Sequence, residues 1–128
     1  MTDRLVSRKT GKLAKKAGFN WSCTDYVDVF CSSDKLGRDY EPDGFTNSFI
    51  GKDSKGFTLP TQTALHKWFR DNYKKHIVIV TVRNNDNDEI MYSYSTKGIN
   101  IQDFKWKVFK SYELALEAGL QELLLELL

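Results

Sequence analysis

The stretch LPTQTALHKWFRDNYKKHIVIVTV, residues 59–82, decides how this chain is read as a fold. Its first half carries a helix signature. Pro60 suits a first helical turn, where its missing N–H costs nothing. Thr61, Leu65, Trp68, Phe69 and Asn72 fall on one face with Tyr73 at its margin, and Lys67, Arg70, Asp71 and Lys74 fall on the other. Lysines near residues 71–75 suit the negative end of the helix dipole. Residues 76–82, HIVIVTV, follow at once and are apolar on both faces, which is the pattern of a central strand covered on both sides.

Downstream, the polar run at residues 84–89 breaks the strand. Residues 89–96 resume it with Ile90, Tyr92 and Tyr94 alternating against Met91, Ser93 and Ser95, so the pair reads as a hairpin. After a turn at Lys97 and Gly98, residues 104–109 predict a third strand, with Phe104, Trp106 and Val108 inward and Lys105 and Lys107 outward. Ser111 then caps a last helix over residues 112–128. Its main stripe is Tyr112, Leu116, Leu120, Leu123, Leu124 and Leu127. A second stripe, Leu114, Ala118, Leu125 and Leu128, lies roughly opposite at 100° per residue, with glutamates between. A helix apolar on two sides must be covered twice, by the fold or by a partner chain. Leu114, Ala118, Leu125 and Leu128 are therefore the candidate partner interface, for another protein or for a second copy in a homodimer.

Upstream, a helix is expected over residues 8–17. Ser7 stands at the N-cap, Gly18 where a left-handed residue ends the helix, and Phe19 folds back on Leu13 and Ala14. Leu13, Ala14 and Ala17 share one side; Arg8, Lys12, Lys15 and Lys16 share the other. Residues 23–31, CTDYVDVFC, read as a strand. In the long polar stretch 32–58 only FTNSFI, residues 45–50, looks capable of a short strand. A segment of that length without structure of its own is a place to look for a site.

The 128 residues are the size of one domain, residues 1–128, and 41% hydrophobic content is a globular value. No apolar run approaches the roughly 20 residues of a membrane span. The basic start MTDRLVSRKTGKLAKK lacks the apolar segment of a secretory signal, so a cytoplasmic location is expected. Cys23 and Cys31 would lie roughly 26 Å apart on one extended strand, so free thiols are expected. The net charge of +2 is uneven. Residues 1–20 hold six bases against Asp3, a balance of +5. Residues 111–128 hold Glu113, Glu117, Glu122 and Glu126 with no base, a balance of −4.

Three helical stretches, Lys12-Leu-Ala-Lys-Lys-Ala-Gly-Phe19, Pro60-Thr-Gln-Thr-Ala-Leu-His-Lys-Trp-Phe-Arg70 and Tyr112-Glu-Leu-Ala-Leu-Glu-Ala-Gly-Leu-Gln-Glu-Leu123, resemble a group of small uncharacterised proteins of bacteriophages and prophages, especially of Bacteroides-type hosts. The resemblance covers about a third of the chain. Its motifs are helix-packing patterns, so it implies a shared fold and carries over no catalytic residue.

Reactive motifs fare poorly. A phosphate loop fails because six residues separate Gly44 from Gly51 and Asp53 replaces the hydroxyl that would hold magnesium. Asp43, Asp53 and Lys55 hold the letters of a metal-dependent nuclease, but KDSKG at residues 52–56 reads as a turn rather than the strand that chemistry needs. Asn84, Asp86 and Asp88 lack the glycine and glutamate of a calcium loop. Cys23, Cys31, His66 and His76 have no zinc spacing, and nothing brings either thiol to a histidine.

The expectation is thus an α+β fold, with an antiparallel sheet of three to five strands and three helices packed against it. No cofactor or metal is expected. The leading function is a non-enzymatic phage or prophage accessory protein that binds a protein partner. The alternative is a nucleic-acid-binding module using Arg8, Lys12, Lys15 and Lys16, with Trp21 and Tyr26 as stacking surface. A metal-dependent nuclease ranks third.

Overall fold

The structure, a computed structural model, describes residues 4–28, 35–38, 46–50, 55–83, 88–98 and 107–128. In chain order its elements are α1 (Arg8–Lys16), β1 (Asp25–Asp28), β2 (Lys35–Arg38), α2 (Asn47–Ile50), β3 (Phe57–Leu59), α3 (Gln62–Tyr73), β4 (Val78–Arg83), β5 (Ile90–Ser95) and α4 (Tyr112–Leu127). The α+β class stands, and every strand pairing among the described residues is antiparallel. The strands divide into a three-stranded group, β2-β1-β3, and the hairpin β4-β5, where one sheet was expected.

Local chemistry explains the helix ends. Ser7 Oγ accepts from Thr10 N at 3.2 Å to start α1. At its other end Gly18 takes φ +96°, Gly18 N donates to Lys15 O and Phe19 N to Ala14 O, a Schellman closure that seats Phe19 in the core. Mid-helix, Gly11 lets α1 lie directly on β3. A Cβ there would meet Leu59 Cδ2 at 2.9 Å and the Thr58 carbonyl oxygen at 3.0 Å. For α3 the cap is Thr61, whose Oγ1 accepts from Ala64 N at 3.1 Å. Pro60 precedes the helix instead of opening it, and its carbonyl accepts from Val6 N at 2.9 Å. Lys74, at φ 54° and ψ 34°, ends the helix in the left-handed region without a glycine.

The core joins Phe19, Leu65, Trp68, Phe69, Ile77, Tyr94 and the buried face of α4. Trp68 meets Phe19 edge-on with ring centroids 5.5 Å apart. Asn72 and Tyr73, expected on the buried side of α3, are exposed, whereas Gln62 and His66 are buried.

Four further expectations are corrected. Residues 47–50 form a helical turn, not a strand, because the buried Asn47 side chain is claimed from two sides: Nδ2 donates to Phe19 O at 2.7 Å and Oδ1 accepts from Thr58 N at 2.9 Å. The polar stretch 32–58 contains strands β2 and β3, and β3 is too short, at three fully buried residues, to show a period. β4 is not a doubly covered central strand; its first three residues are half-buried and its last three exposed. Val108 is exposed and Phe109 packs on the core, reversing the expected alternation. Phe109 is tied to Tyr92 by a two-way backbone bridge of 2.7 and 2.8 Å. Residues 29–31 and 104–106 of the expected strands lie outside the described residues.

The turn from α3 to β4 depends on His66. Its Nε2 accepts from Ile77 N at 3.0 Å, which leaves the neutral ring's proton on Nδ1. Burial first, then His76 stacked at 4.9 Å and the nearby Arg70, lowers its pKa from 6.5 to about 4. The unfolded chain therefore binds more protons between these values. The contribution of this contact is fully present above pH 6.5 and is lost as pH falls toward 4. Urea unfolding across that window should show a steeper acid loss for the native chain than for His66→Gln, which keeps an acceptor that does not titrate.

Candidate functional site

α4 is amphipathic in an unusual way, and the structure shows what covers each side. Ser111 Oγ accepts from Leu114 N at 3.1 Å to cap it, and Glu113 sits in the favourable first turn. Ala115, Leu116, Gly119, Leu120, Leu123 and Leu124 are buried. At Gly119 the hairpin comes so close that a Cβ would stand 2.9 Å from Ile77 Cγ2. On the hairpin side Glu122 accepts from Thr96 Oγ1 at 2.7 Å and Tyr94 Oη at 3.3 Å. Burial, then the Glu122 charge and its hydrogen bond, pushes the Tyr94 phenol up to about 12.

The α1 side is polar. Glu117 Oε2 accepts from Ser7 N at 2.9 Å and from the Thr10 hydroxyl, while Oε1 accepts from Gln62 Nε2 at 2.9 Å. Gln62 also donates to Glu113 O at 2.9 Å, and Gln121 Nε2 donates to Thr10 Oγ1 at 2.9 Å. One carboxylate thus meets the positive end of α1 and a side chain from the first turn of α3, joining three helices.

What remains uncovered is the second stripe. Leu114, Leu125 and Leu128 are 44%, 58% and 56% exposed, whereas Ala118 is partly buried and packs on the core. At 1.5 Å per residue the exposed row is about 20 Å long. Because Gln121 and Glu117 flank it and bind α1, the outward faces of α4 and α1 adjoin.

On α1, Arg8, Lys9, Lys12 and Lys16 are exposed within one arc, and the helix has no acidic residue. Lys15, expected among them, is half-buried, and its ammonium donates to Gly56 O at 2.6 Å, so it serves the packing of α1 on the β3 side. Trp21 is half-buried with Lys67 Nζ 5.6 Å from its ring centroid. Tyr26 is half-buried on β1.

The other reactive residues do not converge. Among the described residues no three His, Cys, Asp or Glu side chains gather as metal ligands. Cys23 is buried, and burial pushes its thiol above the usual value, so it is a poor nucleophile. Cys31, Asp43, Asp53, Asn84 and Asp86 lie outside the described residues. Asp88 pairs with Arg83 at 3.3 Å on the hairpin. No helix among the described residues is long and apolar enough to cross a membrane. Comparisons with protein families, curated proteins and solved structures found no match to this chain.

Glu117 offers a direct check of how the two faces are held together. Glu117→Ala leaves the Ser7 amide, the Thr10 hydroxyl and the Gln62 amide without their charged acceptor, which should cost about 2 kcal/mol in urea unfolding. Glu117→Gln, which keeps one acceptor oxygen, should lose less.

Proposed function

We propose that this chain works by binding a protein partner across the adjoining faces of α4 and α1, as an accessory protein of a phage or prophage. The observation that carries the reading is the exposed leucine row on α4 beside the cationic arc of α1. Scattered single leucines on a surface need no explanation, but three aligned on one helix flank make a docking strip. The partner chemistry follows from the two faces. An acidic segment with an apolar side would set its apolar residues on Leu114, Leu125 and Leu128 and its carboxylates toward Lys9, Lys12 and Lys16. The exposed Glu126 on the far flank would disfavour the reversed placement. The phage assignment is supported by the resemblance in the three helical stretches.

In pull-downs from nuclease-treated lysate of a Bacteroides-type host, Leu114→Glu/Leu125→Glu should lose a captured protein that Ile90→Ser, a change at an exposed apolar residue elsewhere, retains. Lys12→Glu/Lys16→Glu should weaken the same capture about tenfold or more. An identical set of captured proteins from all variants would remove the proposal.

A second reading has an observation of its own. Four exposed cations on one helix without an acid suit the phosphate backbone of a single strand. Fluorescence anisotropy with a labelled oligonucleotide at low salt tests it. Binding that weakens steeply with salt and disappears in Lys12→Glu/Lys16→Glu but survives in Leu114→Glu/Leu125→Glu would favour it. No binding at low salt ends it.

A further inference from the structure

Among the described residues the most apolar run in the chain stands at an edge. Among the described residues β4 pairs with β5 alone, in an unbroken register from Val78↔Ser95 to Arg83↔Ile90. Val82 is 40% exposed, and Val78 and Val80, which share its side of the strand, are half-buried. Edge strands are ordinarily blunted by lysine, proline, a bulge or brevity, because their free N–H and C=O groups recruit other strands. Residues 78–82, VIVTV, carry none of the first two, and the continuous register shows no bulge. At six residues β4 is of ordinary length.

We propose that β4 pairs antiparallel with β4 of a second copy of this chain, about a two-fold axis at Val80, to make a four-stranded sheet in the order β5-β4-β4-β5. The self-complementarity of the strand selects this occupant. With the axis perpendicular to the sheet, Val80 faces its own counterpart and Val78 faces Val82 of the other copy on the outer side. Ile79 faces Thr81 of the other copy on the α4 side. All are β-branched cross-strand pairs, and no like charges stand opposite one another. Such an isologous contact closes on itself, so it yields a dimer rather than a fibre. It is independent of the α4–α1 binding reading, since it leaves Leu114 and Leu125 unused.

Sedimentation velocity on the full chain over a wide concentration range tests the dimer. The unmodified protein should pass from monomer to dimer. Val80→Lys and Val80→Glu should each be monomeric with unchanged circular dichroism, because like charges then meet at the axis. Their equimolar mixture should regain the dimer, a result that only self-opposition of residue 80 produces. Hydrogen exchange on the unmodified chain is the readout that needs no variant: amides of residues 78–82 should be better protected at high than at low concentration. A strict monomer at the highest attainable concentration overturns the proposal. So does a dimer that persists in both Val80 variants, or one lost in Leu125→Glu but not in Val80→Lys.

Discussion

Burial of one face of α4 is the constraint on which the rest of the structure depends. α1, α3 and both strands of the hairpin touch this helix. Leu116, Leu120, Leu123 and Leu124 are the leucines it buries, each worth about 2 kcal/mol relative to exposure. Glycine at 119 is what lets the hairpin approach, with Ile77 and Tyr94 occupying the space a side chain would take. Apolar burial by itself would leave α1 free to slide along α4. The Glu117 carboxylate removes that freedom, because the Ser7 amide and the Thr10 hydroxyl meet it only in one register. The same carboxylate takes a hydrogen bond from Gln62, so the start of α3 is tied to the same point.

This arrangement decides which parts of the chain face outward. With its core face and its α1 flank occupied, α4 presents Leu114, Leu125 and Leu128. With its floor on β3 and α4, α1 presents its cations. The acidic C-terminal balance read from composition is largely internal in effect: Glu117 and Glu122 are both held by hydrogen bonds from the fold. The unevenness of charge therefore reaches a partner mainly as the basic arc of α1, with Glu126 as its exposed acidic counterpart. The hairpin contributes a different kind of surface, an apolar strand edge, on which recognition would run through backbone rather than charge.

Much of this was legible residue by residue. Ser7, Ser111 and Gly18 marked helix ends because capping is a local matter of one side chain and one or two amides. The two stripes of α4 were legible because 3.6-residue periodicity survives any packing arrangement, although Tyr112, read as the start of the main stripe, is exposed. The strand reading of residues 45–50 failed because Asn47 serves Phe19 and Thr58, residues far from it in sequence. β3 was invisible because three residues show no period. The role of Glu117 left no trace either, since a glutamate between two stripes looks like solvated surface until α1 arrives beside it. Lys15 was misplaced for the same reason: its partner, the Gly56 carbonyl, is brought near by β3.

By itself, then, the amino-acid sequence determined the α+β class, the helix ends at Ser7, Gly18 and Ser111, the outline of the apolar stripes and most of the basic arc, all of which depend on neighbours within about one turn or one strand. The Thr61 cap of α3, read as part of its buried face, was missed. The tertiary structure alone decided which stripe is covered, which charges are internal, and that HIVIVTV lies at the edge of its hairpin. The physical reason is that hydrophobicity specifies how much a segment gains by being covered, but not what covers it. That choice rests on contacts such as Glu117 with Ser7 and Gly119 with Ile77, made between residues distant in the chain.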